Sequence, residues 1–94
     1  MKLKEIAHTR AGDKGTTVNI GVIPYSESDY NLLKEKLTVE KVSNFFREVC
    51  KGRVIRYEMD NISSLNFVLE DILDGLNLDS AGRSYGMAIL ELEL

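Results

Sequence analysis

The chain has 94 residues, 44% of them hydrophobic and 29% charged, with 15 acidic residues against 12 basic and a formal net charge of -3. The acidic balance opposes a nucleic-acid-binding surface, which needs basic residues to displace counterions, and no apolar run approaches the ~20 residues that span a bilayer. One cysteine, Cys50, and one histidine, His8, leave no Cys/His zinc set, so no metal, cofactor, nucleic-acid or membrane partner is expected.

A chain this short buries only about 60–65% of the surface it exposes when unfolded, so its core is thin and it reads as one domain over residues 1–94. The N-terminus "MKLKEIAHTR" carries no apolar signal region, and a single thiol suits a reducing compartment; a cytoplasmic location is expected.

Residues 2–9 alternate weakly and read as a strand, and "RAGDKGT" after them reads as a loop by its glycines. The segment 16–23, "TTVNIGVI", is a second strand ending at Pro24. It has Val18, Ile20 and Val22 on one face and Asn19 and Gly21 on the other. A short helix follows over about 27–36 behind Ser26 as N-cap. A firmer helix begins behind Thr38, with Val39, Val42, Phe45, Phe46 and Val49 as its apolar stripe and Gly52 as a left-handed stop.

Residues 53–59, "RVIRYEM", read as a third strand. The spacing of Leu65, Val68, Leu69 and Ile72 in 61–75 reads as a third helix, which strands Phe67 on the polar side among acidic residues, as if for a contact outside the chain. A turn, "NLDSAGR", leads to a last strand over 84–94. Ala88, Leu90, Leu92 and Leu94 line one of its faces and Tyr85, Met87 and Ile89 the other. Such a doubly apolar strand asks to be covered on both sides, so self-association is expected. Four strands and three helices give an α+β two-layer sandwich, broadly ferredoxin-like, with helices on one face. The element order differs from the regular β-α-β-β-α-β, so a variant topology is expected.

The chemistry concentrates in His8 to Gly15. Successive N–H groups of a Gly-containing turn can converge on an anion, with Arg10 and Lys14 supplying charge and Gly12 and Gly15 supplying conformational freedom. Equally, the stretch can be an ordinary hairpin loop with Asp13 capping its turn and Lys14 solvated. It is not a Walker A motif, because Lys14 precedes Gly15 and a strand follows. His8 lacks a second His or Cys for a nucleophile pair, so no catalytic residue is assigned and catalysis by this chain alone is not expected. Cys50 reads as a buried, inert thiol.

The run His8-Thr9-Arg10-Ala11-Gly12-Asp13-Lys14-Gly15 followed by Asn19-Ile20-Gly21-Val22 resembles the start of the small AtuA-like domain of the acyclic terpene utilisation family. The blocks "RYEMDNISSLNFVLEDIL" and "LDSAGRS" extend the resemblance over nearly the whole chain, although Ala11 stands where the family usually has Ser and Met59-Asp60 where Pro is common. The resemblance implies a ferredoxin-like fold, a context in acyclic terpenoid and CoA-linked acid catabolism, and a large AtuA-type partner subunit. It turns the loop toward ligand binding. The candidate set is then Arg10, Gly12, Asp13, Lys14, Gly15 and Asn19, with His8, Asn61, Asn66 and Phe67 as secondary candidates. The alternative is an autonomous, homo-oligomeric domain binding a small carboxylate or phosphate.

Overall fold

The computed structural model describes residues 1–72 and 85–94. Two antiparallel hairpins build its sheet. The first joins β1 (Ala7–Lys14) to β2 (Thr17–Pro24), and the second joins β3 (Val54–Met59) to β4 (Ser64–Leu69). The strand order is β1-β2-β4-β3 with every neighbouring pair antiparallel, so β2 and β3 run parallel with β4 inserted between them. The helical connection α1 (Tyr30–Lys36) and α2 (Val39–Phe45) crosses from β2 to β3. This is the split βαβ arrangement of ferredoxin-like sandwiches, entered here by an extra hairpin strand.

Alternation sets which side chains meet the helices. Val18, Ile20 and Val22 of β2 and Leu65, Phe67 and Leu69 of β4 fall on one face and are buried. Leu33 and Leu37 at the end of α1, Val42 of α2, and Ile89 and Leu92 near the C-terminus close over them. Arg56 of β3 lies on that same face. Its Nη1 donates to the carbonyls of Lys34 at 2.9 Å and Leu37 at 3.0 Å, satisfying acceptors that the end of α1 leaves without helical partners. At the other end of the linker, the Thr38 hydroxyl accepts from the Lys41 N–H at 3.2 Å and caps α2 as expected.

Four expectations are corrected. The stretch Arg10–Lys14 is strand, not loop. A 3-10 turn occupies Leu3–Glu5, and only the two residues between Lys14 and Thr17 form the hairpin turn. Gly15 there has φ 66°, the left-handed value that a tight hairpin demands at its first turn position. Of the residues that mimic a loop, Arg10, Gly12 and Lys14 are alternate residues of one strand face, Asp13 takes the other parity, and Gly15 alone belongs to the turn.

Residues 64–69 are strand, not helix, because Leu65, Phe67 and Leu69 fit period two. Phe67, which the helical reading leaves on a polar face, is fully buried in the core, so neither an outside contact nor a ligand role remains for it. Conversely, residues 85–89 are helical, not strand. The 4-then-3 spacing of Tyr85, Ile89 and Leu92 faces inward while Met87 is exposed, and the doubly apolar strand that motivated self-association is absent. The turn "NLDSAGR" and the end of the expected third helix lie outside the described residues.

Fourth, Gly52 is not a left-handed stop. A Cβ there would sit 2.7 Å from the Glu70 carbonyl oxygen, so glycine admits the close crossing of two backbone segments. Ser26 stands before a 3-10 turn over Glu27–Asp29, and its hydroxyl pairs with that of Ser28 at 2.8 Å instead of capping the backbone.

Glycine therefore has two different meanings in this chain, and denaturation can separate them. Gly52→Ala must move backbone and should cost roughly 1–3 kcal/mol of unfolding free energy, as overpacking does. Gly12→Ala meets nothing within 4 Å and should be neutral or stabilising by up to about 1 kcal/mol, since glycine weakens a strand interior. Equal losses in urea melts of the two variants would contradict this packing.

Candidate functional site

The sheet has a second face, and no described helix covers it. Register assigns its residues row by row. Arg10, Gly21, Asn66 and Tyr57 form one row across the four strands, and Gly12, Asn19, Val68 and Ile55 form the next. Lys14 faces Thr17 at one end; His8 lies beside Ile23, and Met59 beside Ser64, at the other. As expected, Asn19 and Gly21 point away from the core face that carries Val18, Ile20 and Val22.

A cleft of about 730 Å³ runs over this face, within the range typical of small-molecule sites. Arg10, Gly12, Asp13, Lys14 and Asn19 all line it, and so does Asn66. The cleft also takes in residues that sequence reading did not single out, chiefly Gly21, Ile23, Met59 and Ile62. Gly21 could have been found: it sits inside a β-branched strand, two residues from Asn19, where a glycine weakens the strand and marks close approach of another group.

The remaining candidates separate. Gly15 belongs to the hairpin turn, outside the cleft lining. His8 stacks on Tyr25, ring centroids 5.4 Å apart and planes 24° off parallel. Asn61 is exposed in the 3-10 turn Asp60–Ile62 and does not line the cleft. Ala11, at the family's serine position, falls on the helix-side parity. A Cβ built on Gly86 would come 2.9 Å from its methyl, so residue 11 is a packing position for the C-terminal helical segment. Thr9 supports the same contact, its hydroxyl donating to the Gly86 carbonyl at 2.7 Å.

The charge pattern is the clearest property of the open face. Asp13 and Glu58 are the acidic residues of the four strands, and both fall on the helix-side parity. Arg10 and Lys14 have no ion-pair partner among the described residues, nor do Lys36, Lys41, Arg47 and Lys51 away from the sheet, whereas Arg53, Arg56, Lys2, Lys4 and Lys34 are each paired with a carboxylate. Arg10 and Lys14 are four residues apart along β1, about 13 Å at strand rise. Among the described residues there is no cluster of three or more His, Cys, Asp or Glu side chains fit to hold a metal. Cys50 is buried, its thiol donates to the Glu70 carbonyl at 3.1 Å, and burial pushes its pKa up, all of which makes it unreactive.

One end of the cleft is fixed by a polar knot. The Tyr30 hydroxyl donates to Asp60 Oδ1 at 2.8 Å and lies 3.1 Å from the Ser64 carbonyl, while Lys34 Nζ reaches the same carboxylate at 3.3 Å. The Lys34 ammonium also lies 4.9 Å from the centre of the Tyr30 ring. This ties α1 to the turn that carries Met59 and Ile62. Burial, then the Asp60 hydrogen bond, push the Tyr30 phenol up to about 12. The Tyr30 and Lys34 donors hold the Asp60 carboxyl below its ordinary range.

The chain belongs to the AtuA ferredoxin-like domain family, whose model matches residues 1–94. That match covers the whole chain and agrees with the α+β sandwich just described. No curated protein and no solved structure matches it significantly. No helix among the described residues is long and apolar enough to cross a membrane.

The knot has a titration signature. A phenol whose folded pKa is raised contributes stability that is complete below the ordinary tyrosine value and is lost as pH rises through about 12. Tyr30 should therefore contribute a step near pH 12 to an absorbance titration of tyrosinate. Tyr30→Phe should remove that contribution and cost roughly 0.5–1.5 kcal/mol. Asp60 works in the opposite window: its contribution is complete above the ordinary carboxylate range and is lost as pH falls through its lowered folded value. Tyr30→Phe should shrink the acid loss of stability as well. Absorbance near pH 12 that keeps its full amplitude after the substitution would contradict the assignment.

Proposed function

We propose that the chain is the small module of an AtuA-type assembly, docking with a large AtuA-type partner and supplying its open sheet face to a shared site for an anionic group. Family membership supports the AtuA-type context, and the resemblance links that context to acyclic terpenoid and CoA-linked acid catabolism. The observation that carries the anion reading is the face that no described helix covers: Arg10 and Lys14 stand on it, and Asp13, which also lines the cleft, is the strand carboxylate there against those two cations. Cations left unpaired in an otherwise acidic chain favour an anion brought from outside. The donors are side chains spread over a strand face, not the backbone of a loop. Asn19 and Asn66 add carboxamides that can donate or accept. On this reading the module contributes binding and orientation, and any bond-breaking groups come from the partner.

An exposed apolar group favours a second reading, self-association of an autonomous binding domain. Tyr25, Tyr57, Met59 and Ile62 are 68%, 49%, 41% and 60% exposed. Sedimentation of the chain alone and with a purified large AtuA-type protein separates the two, since the first reading expects a mixed complex and the second a homo-oligomer.

The anion site is tested by calorimetric titration with acetate and inorganic phosphate, with and without that partner. Arg10→Ala should weaken binding by about 1.5–3 kcal/mol, the worth of a charged hydrogen bond. Unfolding free energy should change by no more than ~0.5 kcal/mol, as for most surface substitutions. An Arg10→Ala variant that unfolds, in a chain that binds no anion even with the partner present, would overturn the reading.

A further inference from the structure

We propose that the cleft takes a single-headed anion with an apolar body, the head beside Arg10 over Gly21 and the body along Ile23 toward Met59 and Ile62. The inference rests on the anion reading of the open face and adds to it the direction in which the ligand lies and the nature of its other end.

Gly21 marks the position. Its backbone is not in the left-handed region, and an added Cβ would meet only ordinary contacts, the Arg10 carbonyl oxygen at 3.5 Å and Asn66 Oδ1 at 3.8 Å. Nothing among the described residues requires glycine there, although glycine weakens a strand interior. The same holds for Gly12, where a Cβ would meet nothing within 4 Å. These two bare positions lie diagonally on adjacent strands and leave a floor of exposed backbone.

The surroundings of Gly21 state what can rest on it. Arg10 stands beside it on β1 and Asn66 beside it on β4, while Asn19 and Ile23 are its same-face neighbours along β2. An anionic head there reaches a guanidinium and two carboxamides, while Asp13, the strand carboxylate that lines the cleft, lies three residues along β1 toward Lys14, about 10 Å away at strand rise. Past Ile23 the polar groups give way to Met59 and Ile62, both exposed and both lining the cleft. That end is pinned by the Tyr30–Asp60–Lys34 knot, so the apolar wall is set before any ligand arrives. Lys14, about 13 Å from Arg10 along the strand, lies at the opposite end and cannot share a small head group with it. The adjacent pairing is thus Arg10 with the apolar wall.

The test is an NMR titration of the full chain with acetate, butanoate, hexanoate and octanoate, with 1-hexanol and inorganic phosphate as controls. Shifts should map to Gly21, Asn19 and Asn66 and to the side chains of Ile23, Met59 and Ile62. From butanoate to octanoate the Kd should fall about two- to fourfold per methylene, the upper figure being full burial of the group. Hexanol should bind at least about tenfold more weakly than hexanoate, and Arg10→Gln should bring hexanoate down to hexanol, the expected loss of a charged contact. Ile62→Ser should flatten the chain-length dependence and leave acetate unchanged. Gly21→Ala should weaken octanoate while the melting temperature holds or rises.

Equal Kd values for acetate and octanoate, or shifts centred on the groove between Phe45 and Tyr85, overturn the inference. If acetate and phosphate still respond to Arg10 in that case, the anion site survives and only the apolar body falls. If no anion responds to Arg10, with or without the large AtuA-type protein, both readings fall.

Discussion

A four-stranded sheet has two faces, and the described helices of this chain lie on one of them. α1, α2 and the helical segment at 85–89 cover the face that carries Ile20, Phe67 and their neighbours. The strands alternate strictly, so every residue between those core positions is committed to the other side. Arg10, Gly12, Lys14, Asn19, Gly21 and Asn66 are on one surface because Ala11, Val18, Ile20, Val22, Leu65 and Phe67 are on the opposite one. Packing of the core thus positions the candidate site without any dedicated loop.

What the open face lacks is as informative as what it carries. The chain has more acidic than basic residues, yet its strand carboxylates, Asp13 and Glu58, hold helix-side register positions, and of the two only Asp13 lines the cleft. Elsewhere several cations are matched, Lys2 and Lys4 with Glu91, Arg53 with Glu70 and Arg56 with Glu58, while Lys41, Arg47 and Lys51 donate to carbonyl or carboxamide oxygens. These exposed pairs contribute little to stability singly, but their pattern shows where the charge is already used. The open face combines unmatched cations, two glycines with room above them, and an apolar corner braced by buried Tyr30. A surface of that composition is suited to recognition, and it is the part of the molecule that core packing does not explain.

Much of this was legible in the sequence. β2 could be read from Val18, Ile20 and Val22, the α2 cap from Thr38, and the α+β class from the balance of strand and helix patterns. The loss came where two periods fit one segment. Leu65, Val68, Leu69 and Ile72 satisfy a helical spacing, while Leu65, Phe67 and Leu69 satisfy a strand. Only the burial of Phe67 decides between them, and the helical reading had to treat that residue as an anomaly. At the C-terminus the error ran the other way, because alternating leucines concealed the Tyr85–Ile89–Leu92 spacing. The loop reading of Arg10–Lys14 failed for a different reason: glycine and charge mark a turn only when they do not alternate with residues packed on the other face. Arg10, Gly12, Asp13, Lys14 and Asn19 were singled out there on the wrong local geometry, yet they line one cleft.

The account stands or falls on the open face being accessible and positive where the rest of the chain is negative. Paramagnetic broadening by soluble nitroxides of opposite charge measures both properties at each residue. An anionic nitroxide should broaden the amide signals of Gly12, Gly21 and Asn66 more than a cationic one does, and the order should reverse over the acidic turn Glu27–Asp29. Equal broadening by the two probes at Gly12 and Gly21, or protection of these residues from both, would contradict it.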